Sequence, residues 1–324
     1  MPTPTERLVD TNGVRLRVVE AGDRGAPVVI LAHGFPELAY SWRHQIPALA
    51  AAGYHVLAPD QRGYGGSSQP ADIGAYTMPE LSADLVGLLD DVGAERGVFV
   101  GHGFGAPVVW TAAQLQPDRV AGVVGMSVPP EPRPKVPPTE ALRKTVGENF
   151  FYMLYFQEPG IADADLGADA AKVMRRMFCL GPTDDPAVVL RMVRPGSEGF
   201  VERLPEPAGL PDWISADEFN HYSAEFTRTG FTGALNWYRN LDRNWELTAD
   251  TTTTISAPAL FIAGTADPVL SYLSREHMRE VFTGDYREVA IEGAGHWLQQ
   301  ERPKEITRLL LEFLTGLPTA TESR

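Results

Sequence analysis

The sequence predicts an α/β fold: a mostly parallel sheet with helices on both faces and an inserted helical cap. In residues 1–128, short β-rich runs alternate with segments of helical periodicity, which is typical of a parallel sheet wrapped on both faces. The composition changes at Pro129, where prolines become frequent, and the chain beyond is helical and rich in aromatic side chains. The alternation of strands and helices resumes at Ala259.

The first part of the predicted core, residues 1–128, supplies most of the sheet. Val14–Val19 alternates like an exposed hairpin strand that follows an Asn12-Gly13 turn. Continuous apolar runs predict buried parallel strands at Val28–Ala32, His55–Ala58, Gly97–Val100 and Val120–Val128. Helical spacing of apolar residues predicts helices at Leu81–Val92, which ends at Gly93, and at Ala106–Leu115.

The sequence of the second half of the chain indicates a cap followed by the rest of the core. Residues 129–246 form the predicted helical cap, which begins with a stiff proline-rich connector. Residues 247–324 form the second part of the core. It is expected to contain strands at Ala259–Ala263 and Tyr286–Ile291 and a closing amphipathic helix at Pro303–Leu314.

Composition excludes several classes of protein. The 324 residues include 42 acidic and 28 basic side chains, for a net charge of -14, which repels nucleic acid and anionic membrane surfaces. The single cysteine, Cys179, has no intrachain disulfide partner and no catalytic thiol signature around it. The polar amino terminus lacks the features of a signal peptide, and the apolar runs are too short to span a bilayer. We therefore expect a cytoplasmic protein.

Five segments follow the carboxyl ends of predicted strands, where open α/β sheets build their sites. They are His33-Gly34-Phe35-Pro36, Asp60–Gly65, Gly101-His102-Gly103-Phe104-Gly105, Gly264–Asp267 and Gly293–Trp297. The third joins a strand to a helix and has glycines on both sides of Gly103. This is the pattern of a nucleophile elbow, in which the central residue adopts a strained conformation.

An acid and a histidine follow the elbow in the chain order of a hydrolytic triad. Asp267 is expected to hold one ring nitrogen of His296, which leaves the other nitrogen free to activate water. The backbone N–H groups of Phe35 and Phe104 are expected to form the oxyanion hole for developing negative charge. Gly103 occupies the position of the nucleophile.

These motifs resemble those of the soluble epoxide hydrolases, which have the α/β-hydrolase fold. The resemblance covers nearly the whole chain, from Leu31–Glu37 to Gly295–Trp297, and includes the cap segments Tyr152–Gly160 and Gly233–Asn240. It implies that Tyr152 and Tyr238 hydrogen-bond the epoxide oxygen and assist its opening. It also implies that apolar epoxides are converted to vicinal diols through an ester with an Asp, which the His–Asp pair hydrolyses. No metal or organic cofactor is implied.

The chain departs from the family pattern at the elbow, where Gly-His-Gly-Phe-Gly replaces Gly-His-Asp-Trp-Gly. Because Gly103 has no side chain, no ester can form on it. Loss of the nucleophile from a triad enzyme costs about a millionfold in rate, or roughly 8 kcal/mol of barrier. Turnover is therefore expected to be impaired, or rerouted through direct attack by water that His296 activates. Gly103 is either natural or an engineered or erroneous substitution, and the second change, to Phe104, favours the former.

The resemblance also suggests which residues contact the substrate. Trp42, Trp237, Trp297 and Pro36 are expected to line or back an apolar pocket, whereas core packing explains Trp110 nearly as well. The expected partner is a small apolar epoxide or another lipophilic ligand, and a homodimer is left open.

Two other classes of function are alternatives to an enzyme. A capped apolar pocket without a nucleophile could serve as a non-catalytic binder of a lipophilic small molecule. The spacing Gly101-x-Gly103-x-x-Ala106 formally matches a dinucleotide-binding fingerprint, but the next strand ends in Ser127-Val128-Pro129 instead of an acidic residue. Binding of a dinucleotide is therefore not expected.

Overall fold

The computed structural model describes residues 3–180, 192–271 and 277–317, and an eight-stranded sheet lies at its centre. The strands are β1 (Thr5–Thr11), β2 (Val14–Ala21), β3 (Val28–Ala32), β4 (His55–Pro59), β5 (Gly97–His102), β6 (Val120–Met126), β7 (Ala259–Gly264) and β8 (Tyr286–Ile291). Their order across the sheet is β1-β2-β4-β3-β5-β6-β7-β8. The β1–β2 and β2–β4 pairs are antiparallel, and all pairs from β4 to β8 are parallel. The predicted mostly parallel sheet is confirmed.

Helices pack on both faces of the sheet and fill the chain between β6 and β7. In chain order they are α1 (Gln45–Ala51), α2 (Met78–Val92), α3 (Gly105–Leu115), α4 (Pro138–Val146), α5 (Tyr152–Tyr155), α6 (Ile161–Gly167), α7 (Ala170–Phe178), α8 (Phe200–Arg203), α9 (Ala216–Thr229), α10 (Thr232–Arg239), α11 (Leu241–Leu247), α12 (Leu298–Glu301) and α13 (Pro303–Thr315). Among the described residues, no helix combines the length and the apolar character that a membrane crossing requires.

The alternation of side chains along the central strands divides the core into two layers. Val29 and Leu31 of β3 pack in the layer that contains residues of α1 and α13. Val28 and Ile30, which point to the other face, pack with residues of α2, α3 and the helices between β6 and β7. Because successive side chains of a strand point to opposite faces, a strand covered on both sides must be apolar throughout. This is why β3 is a continuous apolar run.

The hairpin at the amino terminus contains a strand that the sequence patterns did not predict. In β1 only Val9 is buried, so the strand lacks the apolar alternation that would have indicated it. The turn between β1 and β2 is the predicted one, since Asn12 and Gly13 have φ of 43° and 74°. Positive φ at both central residues matches the right-handed twist of the strands.

Strand β6 is shorter than predicted. It ends at Met126 instead of Val128 because Ser127 has φ of 66°, which breaks the extended conformation. The Ser127 N–H donates to the backbone oxygen of Ile262 (3.0 Å), and its hydroxyl donates to the backbone oxygen of His296 (2.9 Å). The early end of the strand therefore ties β6 to the loop that carries His296.

Helices α4–α11, hereafter the inserted helices, lie between β6 and β7 in the chain. The large side chains Phe156, Phe178, Tyr222 and Trp237 extend the core layer of α2 and α3 into this region. The described residues between β6 and β7 contain helices and connecting segments but no strand. The boundaries of the cap at residues 129 and 246 stay a prediction. Residues 181–191 of the predicted cap and 318–324 of the second core part lie outside the described residues.

Candidate active site

Gly103 lies in a sharp turn between β5 and α3 and has φ of 53°. Its N–H donates to the backbone oxygen of Met126, and its own oxygen accepts from the N–H of Ala106, both at 3.1 Å. The left-handed region is one that residues with a side chain rarely adopt. Two backbone hydrogen bonds thus hold the elbow in a conformation that glycine adopts at little cost.

The close packing of the elbow requires glycine at position 105 but leaves room at position 103. A Cβ on Gly105 would overlap the backbone oxygens of Ala32 and His33. A Cβ on Gly103 would meet nothing nearer than Nε2 of His296 at 3.5 Å and the Cα of Gly34 at 3.7 Å. These are ordinary van der Waals distances. A side chain at position 103 would therefore point at the imidazole without a clash.

The histidine that follows β8 is paired with the acid that follows β7. Nδ1 of His296 lies 2.9 Å from Oδ2 of Asp267, and Oδ1 of the same carboxylate accepts from the N–H of Val269 at 2.8 Å. Burial lowers the pKa of His296, but the Asp267 carboxylate raises it more, so the net pKa lies above the usual value. The ring is thus held by Nδ1, and Nε2 faces position 103.

A buried polar network holds the backbone of His296. The imidazole of His102 lies with Nε2 at 2.7 Å from the backbone oxygen of His296 and with Nδ1 at 2.6 Å from Oε2 of Glu37. Burial raises the pKa of Glu37, but His102, the Gly34 N–H and His33 together lower it to about 2. Gln299 also donates to this carboxylate, at 2.7 Å. Glu37 was not among the predicted site residues, although it lies in the segment that follows the buried strand β3.

Two backbone N–H groups beside the elbow are available to an anion. Among the described residues, the N–H groups of Phe35 and Phe104 have no hydrogen-bond acceptor. Gly34 brings the two chain segments together, because a Cβ there would come within 2.7 Å of the Phe104 nitrogen. Phe35, Gly103 and Phe104 all lie on the wall of one cavity. Both donors predicted for the oxyanion hole therefore lie near position 103.

The two tyrosines named in the sequence analysis come from the inserted helices. Tyr152 begins α5 and Tyr238 lies in the last turn of α10, and their ring centroids are 5.9 Å apart. The ring of Tyr238 also packs against Phe35 and Phe104, with centroids 5.4 and 4.6 Å apart. Burial raises the pKa of Tyr238 well above its usual value. Its phenol therefore stays protonated at neutral pH and is able to donate a hydrogen bond.

Gly103, Tyr152, Tyr238 and His296 all line a cavity of about 540 Å³ between the sheet and the inserted helices. This volume is in the usual range for small-molecule sites. Most of the remaining wall is apolar, including Phe35, Met78, Phe104, Trp110, Met153, Met177, Leu180 and Phe200. Glu131 also lines the cavity. Glu131 was not predictable from the sequence because it lies in the proline-rich connector, where no pattern marks a site residue.

Among the described residues, the wall of the cavity does not include Trp42, Trp237, Trp297 or Pro36, and their contact with substrate stays a prediction. Trp42 is fully buried in the layer between the sheet and α1 and α13. Trp237 and Trp297 are buried behind the cavity, where their rings pack against those of Phe104 and His296, respectively. The sequence showed that these side chains are large and apolar but not which way they point. Trp110, whose burial core packing explains nearly as well, lines the cavity.

The arrangement provides the parts for opening a strained ring in a largely apolar cavity. Two phenols can donate to an oxygen that develops negative charge, and an imidazole paired with a carboxylate can take a proton from water. Residue 103 is glycine, so it offers no carboxylate on which an ester could form.

Comparisons with known proteins identify the family. A family model described as the alpha/beta hydrolase fold matches residues 27–303. Epoxide hydrolase A of Mycobacterium tuberculosis (strain ATCC 25618 / H37Rv) is 70% identical over 98% of this chain and 99% of its own length. The crystal structure of Epoxide Hydrolase A from Mycobacterium thermoresistibile has 65% identity and a TM-score of 0.95, and the match covers 98% of this chain and 99% of that one. Epoxide hydrolase 3 of Siraitia grosvenorii is 38% identical over 94% of this chain and 96% of its own length. The chain therefore belongs to the epoxide hydrolase family of the α/β-hydrolase fold.

Proposed function

We propose that this chain hydrolyses apolar epoxides to vicinal diols by a slow route in which water attacks the epoxide carbon directly. The observation that carries the proposal is the position of His296. Its Nε2 lies 3.5 Å from the point that a Cβ of residue 103 would occupy, and glycine leaves this point free. A water molecule there would contact the imidazole on one side and face the cavity on the other. The names of the relatives support the epoxide as the reacting group.

The proposed step accounts for each proton transferred and each bond formed or broken. The water gives a proton to Nε2 of His296, its oxygen bonds to a ring carbon, and the bond between that carbon and the ring oxygen breaks. The ring oxygen takes a proton from the phenol of Tyr152 or Tyr238, and solvent carries the proton from the imidazolium back to the phenolate. Asp267 stabilises the imidazolium, since its carboxylate lies 2.9 Å from Nδ1.

We also propose that residues 129–246 act as a cap over the reacting groups. Tyr152 and Tyr238 belong to this segment, whereas Gly103 and His296 belong to the core. The cavity that these residues share lies where the two parts meet, and its largely apolar wall favours an apolar epoxide. Exclusion of bulk water strengthens the hydrogen bonds made to the ring oxygen.

The source of oxygen in the first turnover tests the direct attack of water. The protein is mixed in excess with an apolar epoxide in water enriched in oxygen-18, and the diol is analysed by mass spectrometry. Direct attack places solvent oxygen in the diol from the first turnover. Gly103→Asp is the matched control, because an ester with the protein gives an unlabelled diol in its first turnover.

A second comparison shows whether the imidazole is the base. His296→Gln should remove the protein-dependent rate, since the amide cannot take the proton from water. An ester adduct on the parent chain, or diol formation that does not change in His296→Gln, would rule out the proposed route.

A second candidate function is the binding of a lipophilic molecule without catalysis. The absence of a nucleophile at Gly103, in a cavity whose wall is largely apolar, favours this alternative. It predicts micromolar or tighter binding of a lipophilic compound that has no epoxide, measured by calorimetry. It also predicts that neither the parent chain nor Gly103→Asp converts any epoxide in a panel. Diol formation by Gly103→Asp would count against it.

A further inference from the structure

The space beside Gly103 has the surroundings of an anion site. The free N–H groups of Phe35 and Phe104 lie next to it, and Phe104 directly precedes α3, a helix of 11 residues whose amino terminus favours negative charge. His296 is only 9% exposed, and its Nε2, which faces this space, has no hydrogen-bond partner among the described residues. When the imidazole of His296 is protonated, it adds a third donor to the two N–H groups beside the place where the family resemblance implies a carboxylate.

We propose that this space binds a small free carboxylate such as formate or acetate, and that the bound anion attacks an epoxide in place of the missing side chain. The product is a 2-hydroxyalkyl ester. This reaction differs from the attack of water proposed above. It rests on the epoxide as substrate and not on water as the nucleophile.

The size of the space selects small anions. Aspartate differs from glycine by one methylene and one carboxylate, so acetate contains the same heavy atoms as the missing side chain. A side-chain carboxyl carbon is two covalent bonds from the Cα, at about 2.5 Å. A free carboxylate stays at van der Waals distance from the Cα of Gly103, about 3.5 Å between carbon atoms. Formate, which has no methyl group, places its oxygens nearest to the position of the missing ones, and bulky carboxylates lie farther out.

Atoms and charge balance in the proposed step. A carboxylate oxygen bonds to one ring carbon of the epoxide, and the bond from that carbon to the ring oxygen breaks. The ring oxygen takes a proton from the phenol of Tyr152 or Tyr238, and solvent restores the phenol. The neutral hydroxy ester either leaves the cavity or is cleaved by water activated by His296. That cleavage returns the carboxylate and gives a diol that keeps one carboxylate oxygen.

Affinity for so small an anion is low. A ligand of three or four heavy atoms reaches a Kd of about 0.5 mM to 40 μM at the very best, and the net charge of -14 opposes the accumulation of anions near the protein. The experiment therefore uses acetate up to about 0.5 M, with ionic strength held constant by sodium chloride.

The test follows oxygen from labelled acetate into the product. The protein is incubated with styrene oxide and acetate carrying oxygen-18 in both positions, and the hydroxy ester and the diol are analysed by mass spectrometry. In the hydroxy ester and in the diol, we expect one labelled oxygen on the carbon that belonged to the epoxide ring and was attacked by acetate. We also expect the rate of product formation to rise at least tenfold with acetate and to saturate.

Two variants at the same position complete the design. Gly103→Ala adds a Cβ that fits at 3.5 Å from Nε2 of His296 and occupies part of the space; it should lose the transfer of label at least tenfold. A thermal melt shows whether this variant folds. Gly103→Asp carries its own carboxylate, so it should convert styrene oxide without label from acetate.

The outcomes separate this inference from the proposed function. If Gly103→Asp converts styrene oxide but the parent chain takes no label from acetate, the carboxylate site is wrong and water attack stands. Equal transfer of label by the parent chain and by folded Gly103→Ala also overturns the site. A third outcome is that the parent chain forms labelled ester with acetate present but forms no diol without acetate. This result supports the carboxylate site and rules out direct attack by water. An inert Gly103→Asp overturns the epoxide as substrate, and both proposals with it.

Discussion

Replacement of Gly103 by aspartate returns the side chain that the resemblance to epoxide hydrolases implies. The backbone at this residue has φ of 53°, a left-handed conformation that costs an L-residue about 1–2 kcal/mol. The added Cβ meets nothing nearer than Nε2 of His296 at 3.5 Å, so no steric clash adds to this cost. We expect the melting temperature of Gly103→Asp to fall by about 2–4 °C for each kcal/mol of strain.

The gain in activity should far exceed the loss in stability. Loss of the nucleophile in a triad enzyme lowers the rate about a millionfold, which corresponds to roughly 8 kcal/mol of activation free energy. The imidazole that would activate water against the ester is already in place, with Nδ1 of His296 at 2.9 Å from Asp267. We therefore expect Gly103→Asp to form diol at least about ten-thousandfold faster than the parent chain.

The assay combines diol formation from an apolar epoxide with rapid-quench mass spectrometry of the intact protein, which detects the ester as an added epoxide mass. Gly103→Ala is the control, because it carries the same backbone strain without a nucleophile and should form diol no faster than the parent chain. The assigned geometry would be refuted if folded Gly103→Asp formed diol less than about a hundredfold faster than the parent chain, or if it formed no ester.

Four further predictions follow from contacts around the cavity. Asp267→Asn should lower the pKa of His296 below its usual value, because burial then acts without the carboxylate that raises it; NMR titration of the imidazole measures this change. Tyr238→Phe should keep the packing of the ring but slow epoxide opening by about 10–100-fold, as a difference in kcat shows. Trp42→Phe should leave kcat and KM unchanged, since Trp42 is buried in the opposite layer of the core. Glu37→Gln should lose about 3 kcal/mol of stability at neutral pH, because the pKa of Glu37 is lowered from 4.5 to about 2. The difference in urea unfolding between the parent chain and this variant should shrink as the pH falls from 4.5 towards 2.

Much of the fold was predictable because its signals are local. The prediction for Val28–Ala32 matches β3 in full, since a strand buried on both faces must be apolar throughout. The Asn12-Gly13 turn was recognisable because few residues adopt positive φ at both central positions. Strand β1 was missed because an edge strand with one buried residue leaves no pattern.

The side chains around the cavity were less predictable. Trp42, Trp237 and Trp297 are fully buried but lie behind the wall, whereas Trp110 lines it. Periodicity indicates that such residues are buried and does not indicate which neighbour covers them. Glu37 was missed for a similar reason, because its partners His102 and Gln299 are 65 and 262 residues away in the chain.

The sequence alone determined the class of fold, the chain order of the Gly103 turn, Asp267 and His296, and the glycine at position 103, because each depends on residue identity or on short-range spacing. Only the tertiary structure decided that His296 faces an open position at Gly103, that two free N–H groups lie beside it, and that both tyrosines share its cavity. These facts depend on distances between segments far apart in the chain. Such distances are set by the packing of the whole core, which no local pattern encodes.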